Sequence, residues 1–342
     1  MKSGWAAAGW LGVILAGLSL GNPAAAGPTL DAVKKAGTVR CGVTSAVAGA
    51  ARPDSKGRWV GFHADICRAV AAAALGDAEK VTFVPVTAQS RFTALQSGEI
   101  DTLIYITALT LSRDATLGLN QVAPYFYTGQ GFLVRRSLNI SQLKELDGGT
   151  VCSTQGSVVE RNVTDYARRT GITLTTISFD VAANVLAAFL AGRCDAISND
   201  TLSLTANRLA APDPDAFVLL PELIAKEPQG AMVRNGDSEW ANVVRWSIFA
   251  LVQAEEFGLT RETVAATRDS STDPQVRRFL GRGEPVGAGL GLSDDWAYQV
   301  VRQVGDYGTL YETHLGKHGL GLDRGLNRLW NQGGLMMSWL WQ

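Results

Sequence analysis

The sequence predicts an α/β protein made of two similar lobes, and two observations carry that expectation. First, segments rich in β-branched residues alternate with segments of helical spacing. Such alternation gives largely parallel strands with helices on both faces of the sheet. Second, one unit occurs twice. Leu95-Gln96-Ser97-Gly98-Glu99-Ile100-Asp101-Thr102-Leu103 and Phe189-Leu190-Ala191-Gly192-Arg193-Cys194-Asp195-Ala196-Ile197 each end a helix, stop it at glycine and open a hydrophobic strand with aspartate. A chain of 342 residues is long enough for two such lobes. A cleft between lobes is a usual place for a small ligand.

The first 26 residues read as an export leader rather than as part of the fold. Lys2 is the only charge before Asp31, Trp5 to Leu20 is apolar, and Ala24-Ala25-Ala26 offers small residues at the −3 and −1 positions. The alternative is an uncleaved anchor, but Gly9, Gly12, Gly17, Gly21 and Pro23 break the stretch. Cleavage after Ala26 leaves a mature chain that starts at Gly27, and no cysteine stands there to carry a lipid.

From there the elements follow in order. Thr38 to Val43 is a buried strand. Asp65 to Leu75 is an alanine-rich helix ended by Gly76. Val81 to Val86 is a strand, Arg91 to Gln96 a short helix stopped at Gly98, and Asp101 to Ile106 a strand. In the second unit Gly149 to Cys152 is a strand, and Ser157 to Arg169 is a helix capped by Ser157. Ile172 to Ile177 is a strand, Val181 to Ala191 a helix and Cys194 to Ser198 a strand. Beyond residue 240 the chain is more helical, with Trp240 to Glu256 and Asp294 to Val304 as the clearest helices.

Composition excludes several classes. Charged residues are 18%, hydrophobic residues 46%, with Gly 37 and Pro 11, which fits neither a disordered tail, a collagen nor a coiled coil. Lys+Arg 31 against Asp+Glu 32 leaves a net charge of −1, and no basic run suggests a nucleic-acid partner. Gly287-Ala288-Gly289 lacks the third glycine of a dinucleotide fingerprint and reads as a linker. His314 and His318 are four apart, but Gly316 lies between them and no third metal ligand is evident, so neither a metal nor a cofactor is implied. The four cysteines allow three pairings. Pairing within each lobe, Cys41–Cys67 and Cys152–Cys194, needs no bridge across a hinge. Buried free thiols are the alternative.

Several motifs carry a family resemblance. Gly61-Phe62-His63-Ala64-Asp65 after Cys41-Gly42-Val43, Arg91-Phe92-Thr93-Ala94-Leu95-Gln96-Ser97-Gly98-Glu99-Ile100-Asp101, Thr110-Leu111-Ser112-Arg113-Asp114 and Cys194-Asp195-Ala196-Ile197-Ser198-Asn199-Asp200 are among them, with Asp295-Trp296-Ala297-Tyr298 and Gly305-Asp306-Tyr307-Gly308 near the end. Together they resemble the amino-acid-binding periplasmic proteins of ABC transporters, nearest to the general L-amino acid-binding branch. The resemblance covers nearly the whole mature chain. It implies a type II clamp, a monomer that captures an amino-acid-like zwitterion in the periplasm and delivers it to an inner-membrane ABC permease. It implies crossings near Leu133-Val134-Arg135 and Met232-Val233-Arg234, so that lobe one is 27–134 plus 232–342 and lobe two is 135–231. It maps the carboxylate grip onto Arg113 and the ammonium partner onto Asp200. Thr107 and Tyr105 fall in the lobe-one ligand loop, and backbone at Ser157 and Val158 could add donors to the carboxylate.

The departures from the family pattern fall in the pocket. Tyr105 stands where the branch has an arginine, Ala108 replaces a hydroxyl, Ala50 takes a position that usually holds an aromatic wall, and His63 replaces an aspartate. This pattern implies a zwitterionic ligand with a neutral, fairly large side chain. An enzyme on the same fold is the alternative, since some periplasmic dehydratases share it. Tyr105, Glu160 and His63 are the residues to nominate for that role. A ligand-sensing subunit for a separate receptor is the third reading.

Overall fold

The computed structural model describes Met1 and residues 27–342, so residues 2–26 of the expected leader lie outside the described residues. The chain opens with α1 (Pro28–Ala36), β1 (Val39–Val43), a two-stranded ribbon of β2 (Arg52–Pro53) and β3 (Trp59–Val60), and α2 (Phe62–Leu75). Helix α2 begins three residues before the expected Asp65. Gly61 holds φ at 128°, and a Cβ there would stand 2.3 Å from the carbonyl oxygen of Ala50. Glycine alone allows the chain to turn into the helix at that point. β4 (Val81–Pro85), α3 (Arg91–Gln96), β5 (Thr102–Leu103) and α4 (Leu111–Thr116) complete the first unit.

The long strand β6 (Leu119–Arg135) leads to β7 (Thr150–Thr154), α5 (Val159–Thr170), β8 (Thr175–Phe179), α6 (Ala182–Leu190), β9 (Ala196–Asp200) and α7 (Thr201–Ala210). Then come β10 (Phe217–Leu219), β11 (Ala225–Arg234) and five helices, α8 (Ser238–Glu256), α9 (Val264–Ser270), α10 (Pro274–Phe279), α11 (Trp296–Gln303) and α12 (Tyr307–His314).

One sheet runs through the molecule in the order β4-β1-β5-β11-β6-β9-β7-β8, with β10 beside β6. At one end β1 pairs in parallel with β4 and β5, and at the other β7 pairs in parallel with β8 and β9. The antiparallel pair β6 and β11 joins the two halves. The repeated unit has the same job in both. Asp101 accepts from the amide and guanidinium of Arg40 on β1, and Asp195 accepts from the amide and hydroxyl of Thr150 on β7.

The cores show where the chain changes lobe. Val122, Ala123, Tyr125 and Phe126 of β6 pack in one large core with α2, α8 and α11. Phe132 and Val134 pack in a small core with α5, and Leu133 in another with α6. The hand-over on β6 thus lies between Phe126 and Phe132, earlier than the expected Leu133-Val134-Arg135. On β11 it lies opposite, where Glu227 faces Thr128 and Gln229 faces Phe126, again earlier than Met232-Val233-Arg234. Pro124, Gly129 and Gly131 interrupt the alternation of β6, which hid a strand of seventeen residues.

Disulfides join Cys41 to Cys67 and Cys152 to Cys194, with Cα separations of 6.1 and 5.7 Å. The first ties β1 to α2, and the second ties β7 to the turn before β9. Among the described residues no helix is long and apolar enough to cross a membrane.

Candidate ligand-binding site

Two loops from opposite lobes meet at the rim of a cavity of about 390 Å³. Gln89 Nε2 donates to Gln155 Oε1 at 2.9 Å, and Arg91 Nη2 donates to the carbonyl of Gly156 at 3.3 Å. Gly156 has φ of 76°, and a Cβ there would lie 3.5 Å from the Ala88 carbonyl, so the lips of the cleft touch. The cavity has small apolar walls, with Ala46 and Ala48 on one side and Ala182, Ala183, Ala206 and Ala210 on the other.

Lobe one supplies two cations. Arg113 lies in α4, which Thr110 caps by accepting from the Arg113 amide. Its guanidinium is buried, stands 5.2 Å over the Phe92 ring and donates from Nη1 to the Ala108 carbonyl at 2.7 Å. Among the described residues Arg113 forms no ion pair with Asp114 or any other carboxylate. Burial lowers its pKa, and the nearby charge of Glu227 works against that. Arg91, at the start of α3, lies over Phe92 and Tyr105 at 4.5 and 5.3 Å. It donates to the Ala88 carbonyl while its Nε has no partner. Burial first, and then the charge of Arg113, hold its pKa down to about 10, which leaves it cationic at neutral pH.

Lobe two supplies the anion. Asp200 ends β9 and caps α7, its Oδ1 accepting from the Ser203 amide at 3.0 Å. Its Oδ2 is buried and without a partner. One oxygen thus caps the helix, and the other is left unpaired in a residue that lines the cavity. Burial raises its pKa, opposed by the hydrogen bonds from Ser203.

Of the expected site residues, Arg113, Asp200, Tyr105, Ser157 and Val158 line the cavity. Thr107 does not. It is buried beneath the site, its carbonyl accepts from Gly230, and its hydroxyl has no partner. Ser157 is not the cap of α5, which starts two residues later with Val158 at the N-cap. The Ser157 amide and hydroxyl both donate to the Thr154 carbonyl, so neither serves as a carboxylate donor here.

Ala50 forms no wall of the cavity. It is buried in the large core, and its carbonyl accepts from His63. The loop after β1 reaches the cavity through Thr44 to Ala48 instead.

Tyr105, Glu160 and His63 do not converge. Tyr105 is in the cavity wall, whereas Glu160, in the first turn of α5, accepts from the Ser178 hydroxyl on β8. His63 is buried in the large core against Tyr125, where desolvation lowers its pKa to about 3.

Sequence reasoning missed Arg91 and Glu227. Arg91 was legible as the first residue of a helix and of a family motif, without a role in the site, and the fold brings it to the lip. Glu227 lies in β11 next to Pro228, in a stretch with no strand alternation. It is 5% exposed, lines the cavity and leaves Oε1 unpaired. Among the described residues no group of His, Cys, Asp and Glu is arranged to hold a metal ion.

The geometry has relatives. The general L-amino acid-binding periplasmic protein AapJ of Rhizobium johnstonii is 43% identical over 324 residues, covering 94% of this chain and 95% of its own. The glutamate/glutamine/aspartate/asparagine-binding protein BztA of Rhodobacter capsulatus is 43% identical over 327 residues, covering 95% and 96%. An ABC transporter periplasmic binding protein from Brucella ovis, solved with glutathione bound, superposes with a TM-score of 0.90 at 42% identity, over 92% of this chain and 99% of that one. Residues 39–262 match the pattern of a single family. The chain belongs to the bacterial extracellular solute-binding proteins, family 3.

Proposed function

We propose that this solute-binding protein captures an α-amino-acid-like zwitterion and delivers it to an inner-membrane ABC permease. The ligand carboxylate lies on Arg113 and its ammonium on the free oxygen of Asp200. One observation carries the reading: a buried guanidinium and a buried, half-unpaired carboxylate line one cavity from opposite lobes. A guanidinium offers paired donors to a carboxylate, and a desolvated ammonium needs an anion. The mature chain, from Gly27, works in the periplasm as a monomer. It opens by bending where β6 and β11 pass between the lobes, near 127–131 and 225–230.

The side chain of the ligand meets Arg91. That cation supplies what Tyr105 lacks, so the favoured ligand has a sizeable side chain that ends in an acceptor: an amide, which keeps to the expected neutral side chain, or a carboxylate, which departs from that expectation. The name of BztA, which cites glutamate, glutamine, aspartate and asparagine, supports this class. A small peptide zwitterion is the second reading, favoured by the alanine-walled cavity and by the glutathione in the Brucella relative.

A thermal-shift panel of the twenty amino acids and glutathione on mature protein tests both readings. Ligand at 100 times its Kd adds about 2.7 kcal/mol, which is a clear shift. No shift with any of the panel would reject the zwitterion reading.

A further inference from the structure

We infer that Glu227 is a ligand-contacting residue that works in its protonated form, donating its O–H to the ligand carboxylate beside Arg113, so that a proton is taken up as the ligand binds. The inference rests on the zwitterion reading and adds to it a third polar contact, from the strand that joins the lobes.

Glu227 is placed by β11. Its neighbours Pro228 and Gly230 bond to the loop before α4, with the Leu109 amide donating to the Pro228 carbonyl at 2.8 Å and the Gly230 amide to the Thr107 carbonyl at 3.4 Å. The same loop holds Arg113 through the Ala108 carbonyl. Glu227 and Arg113 therefore share one wall of the cavity. The Glu227 carboxyl forms no ion pair among the described residues, and Oε1 is buried with no hydrogen-bond donor. A buried carboxylate in that condition is unfavourable unless it is neutral or compensated.

The charged groups that face it are few. Arg113 from α4 favours its ionised form, and Asp200 at the start of α7 disfavours it. β6 places Thr128 opposite, and Arg91 and Tyr105 stand in the same cavity. Burial is the largest influence, followed by Asp200, and together they raise its pKa to about 8. In the ligand-free cleft Arg113 is the group that most offsets this. A ligand carboxylate takes that guanidinium for itself, adds a negative charge on the same side and expels water. These three changes favour the acid form of Glu227, against the ligand ammonium, which offsets the charge of Asp200. A neutral carboxyl can then give the carboxylate a hydrogen bond that an ionised one could not.

The linkage has a definite sign. Ligand binds better to the protonated site, so Kd rises with pH as Glu227 ionises in the free protein. Ionisation near pH 8 gives about a tenfold weakening between pH 7 and pH 9. The test is calorimetry with L-glutamate, L-glutamine and glutathione at both pH values, in buffers of different ionisation enthalpy, on wild type and Glu227→Gln. Glu227 should add close to one proton to the uptake of wild type at pH 9, and the ratio of the two Kd values should be about tenfold smaller in Glu227→Gln than in wild type. The ligand's own amino group titrates equally against both proteins and drops out of the comparison.

Proton release on binding, or the same pH dependence in both proteins, would overturn the inference. Should none of the three probes give heat, the zwitterion reading fails for them, and the ligand-free protein still decides the matter. Carboxyl ¹³C resonances, with Glu227 assigned by its loss in Glu227→Gln, should show titration above pH 7. Titration in the ordinary carboxylate range would sink the inference whatever the panel gives.

Discussion

The two walls of the cavity carry opposite charge and hold it by different means. On the lobe-one wall Arg113 and Arg91 are pinned by backbone carbonyls and aromatic faces. Glu227 shares that wall, but among the described residues it forms no ion pair with either of them. On the lobe-two wall Asp200 is pinned by the helix it caps. The first arrangement spends guanidinium nitrogens on fixing direction and keeps others available. The second spends one carboxylate oxygen and keeps one. On the zwitterion reading proposed above, the ligand would fit between them in a single orientation, the lobes selecting both its charges and their order.

Removing Arg113 should break this arrangement most. Arg113→Ala leaves a buried ligand carboxylate without its cation and should weaken binding by about 2–5 kcal/mol. Calorimetry on the variant, with the ligand found by the thermal panel, checks this. A loss of less than tenfold would move the carboxylate grip elsewhere, with Arg91 as the next candidate.

The lobes also differ in what holds them together. Lobe one has a large core that includes α2, α8 and α11, with Cys41 and Cys67 buried in it, and a small one around Leu95, Leu103 and Met232. Lobe two rests on two small cores, with Cys152 and Cys194 in one of them. The bridges close loops of 26 and 42 residues. Chain entropy assigns each about 3–4 kcal/mol. Replacing Cys152 and Cys194 by serine should raise hydrogen exchange across β7, β8 and β9 while leaving α2 and α8 protected. Replacing Cys41 and Cys67 should lower protection across the large core instead. The same exchange pattern from both pairs would show that the lobes unfold as one unit.

The fold was legible because local signals agreed with it. Gly98 and Gly192 mark the same helix stop, and Asp101 and Asp195 open strands that each aspartate then ties to its neighbour. The cysteine pairing followed from the lobes. The joining strands were less legible, since Pro124, Gly129 and Gly131 break the alternation that reveals a strand. In the site, Arg113 and Asp200 stood in motifs. Arg91 stood in a motif too, but its place at the cavity comes from the meeting of two lips, and Glu227 reaches it on a strand without a pattern. Ala50 went the other way. Its loop position suggested a wall, but Gly61 packs against its backbone and buries it.

Asp200 allows a finer cut between the two walls, because its helix and cavity roles can be separated. Asn is as good an N-cap as Asp, whereas Ala is poor. Asp200→Ala should therefore weaken binding and also destabilise the protein by about 1 kcal/mol. Asp200→Asn should weaken binding with little change in stability. Thermal melts of both ligand-free variants, followed by calorimetry, read the two effects apart. If Asp200→Asn binds the ligand as tightly as wild type, the charge on the lobe-two wall is not what holds the ammonium.

The smallest effect belongs to the lips, where the walls meet outside the cavity. Gln89 and Gln155 are exposed, and their hydrogen bond replaces bonds that each makes to water when the cleft opens. Such an exchange contributes about 0.5–1.5 kcal/mol at most. It exists only in the closed form, so its loss should appear in the rate of release rather than of capture. Gln89→Ala is expected to raise Kd by a few-fold at most, with an unchanged association rate in stopped-flow fluorescence. Arg91 would still reach the Gly156 carbonyl and keep the lips in register. A rise in Kd of tenfold or more from this one exposed side chain would mean that closure, rather than the charges on the two walls, sets the affinity.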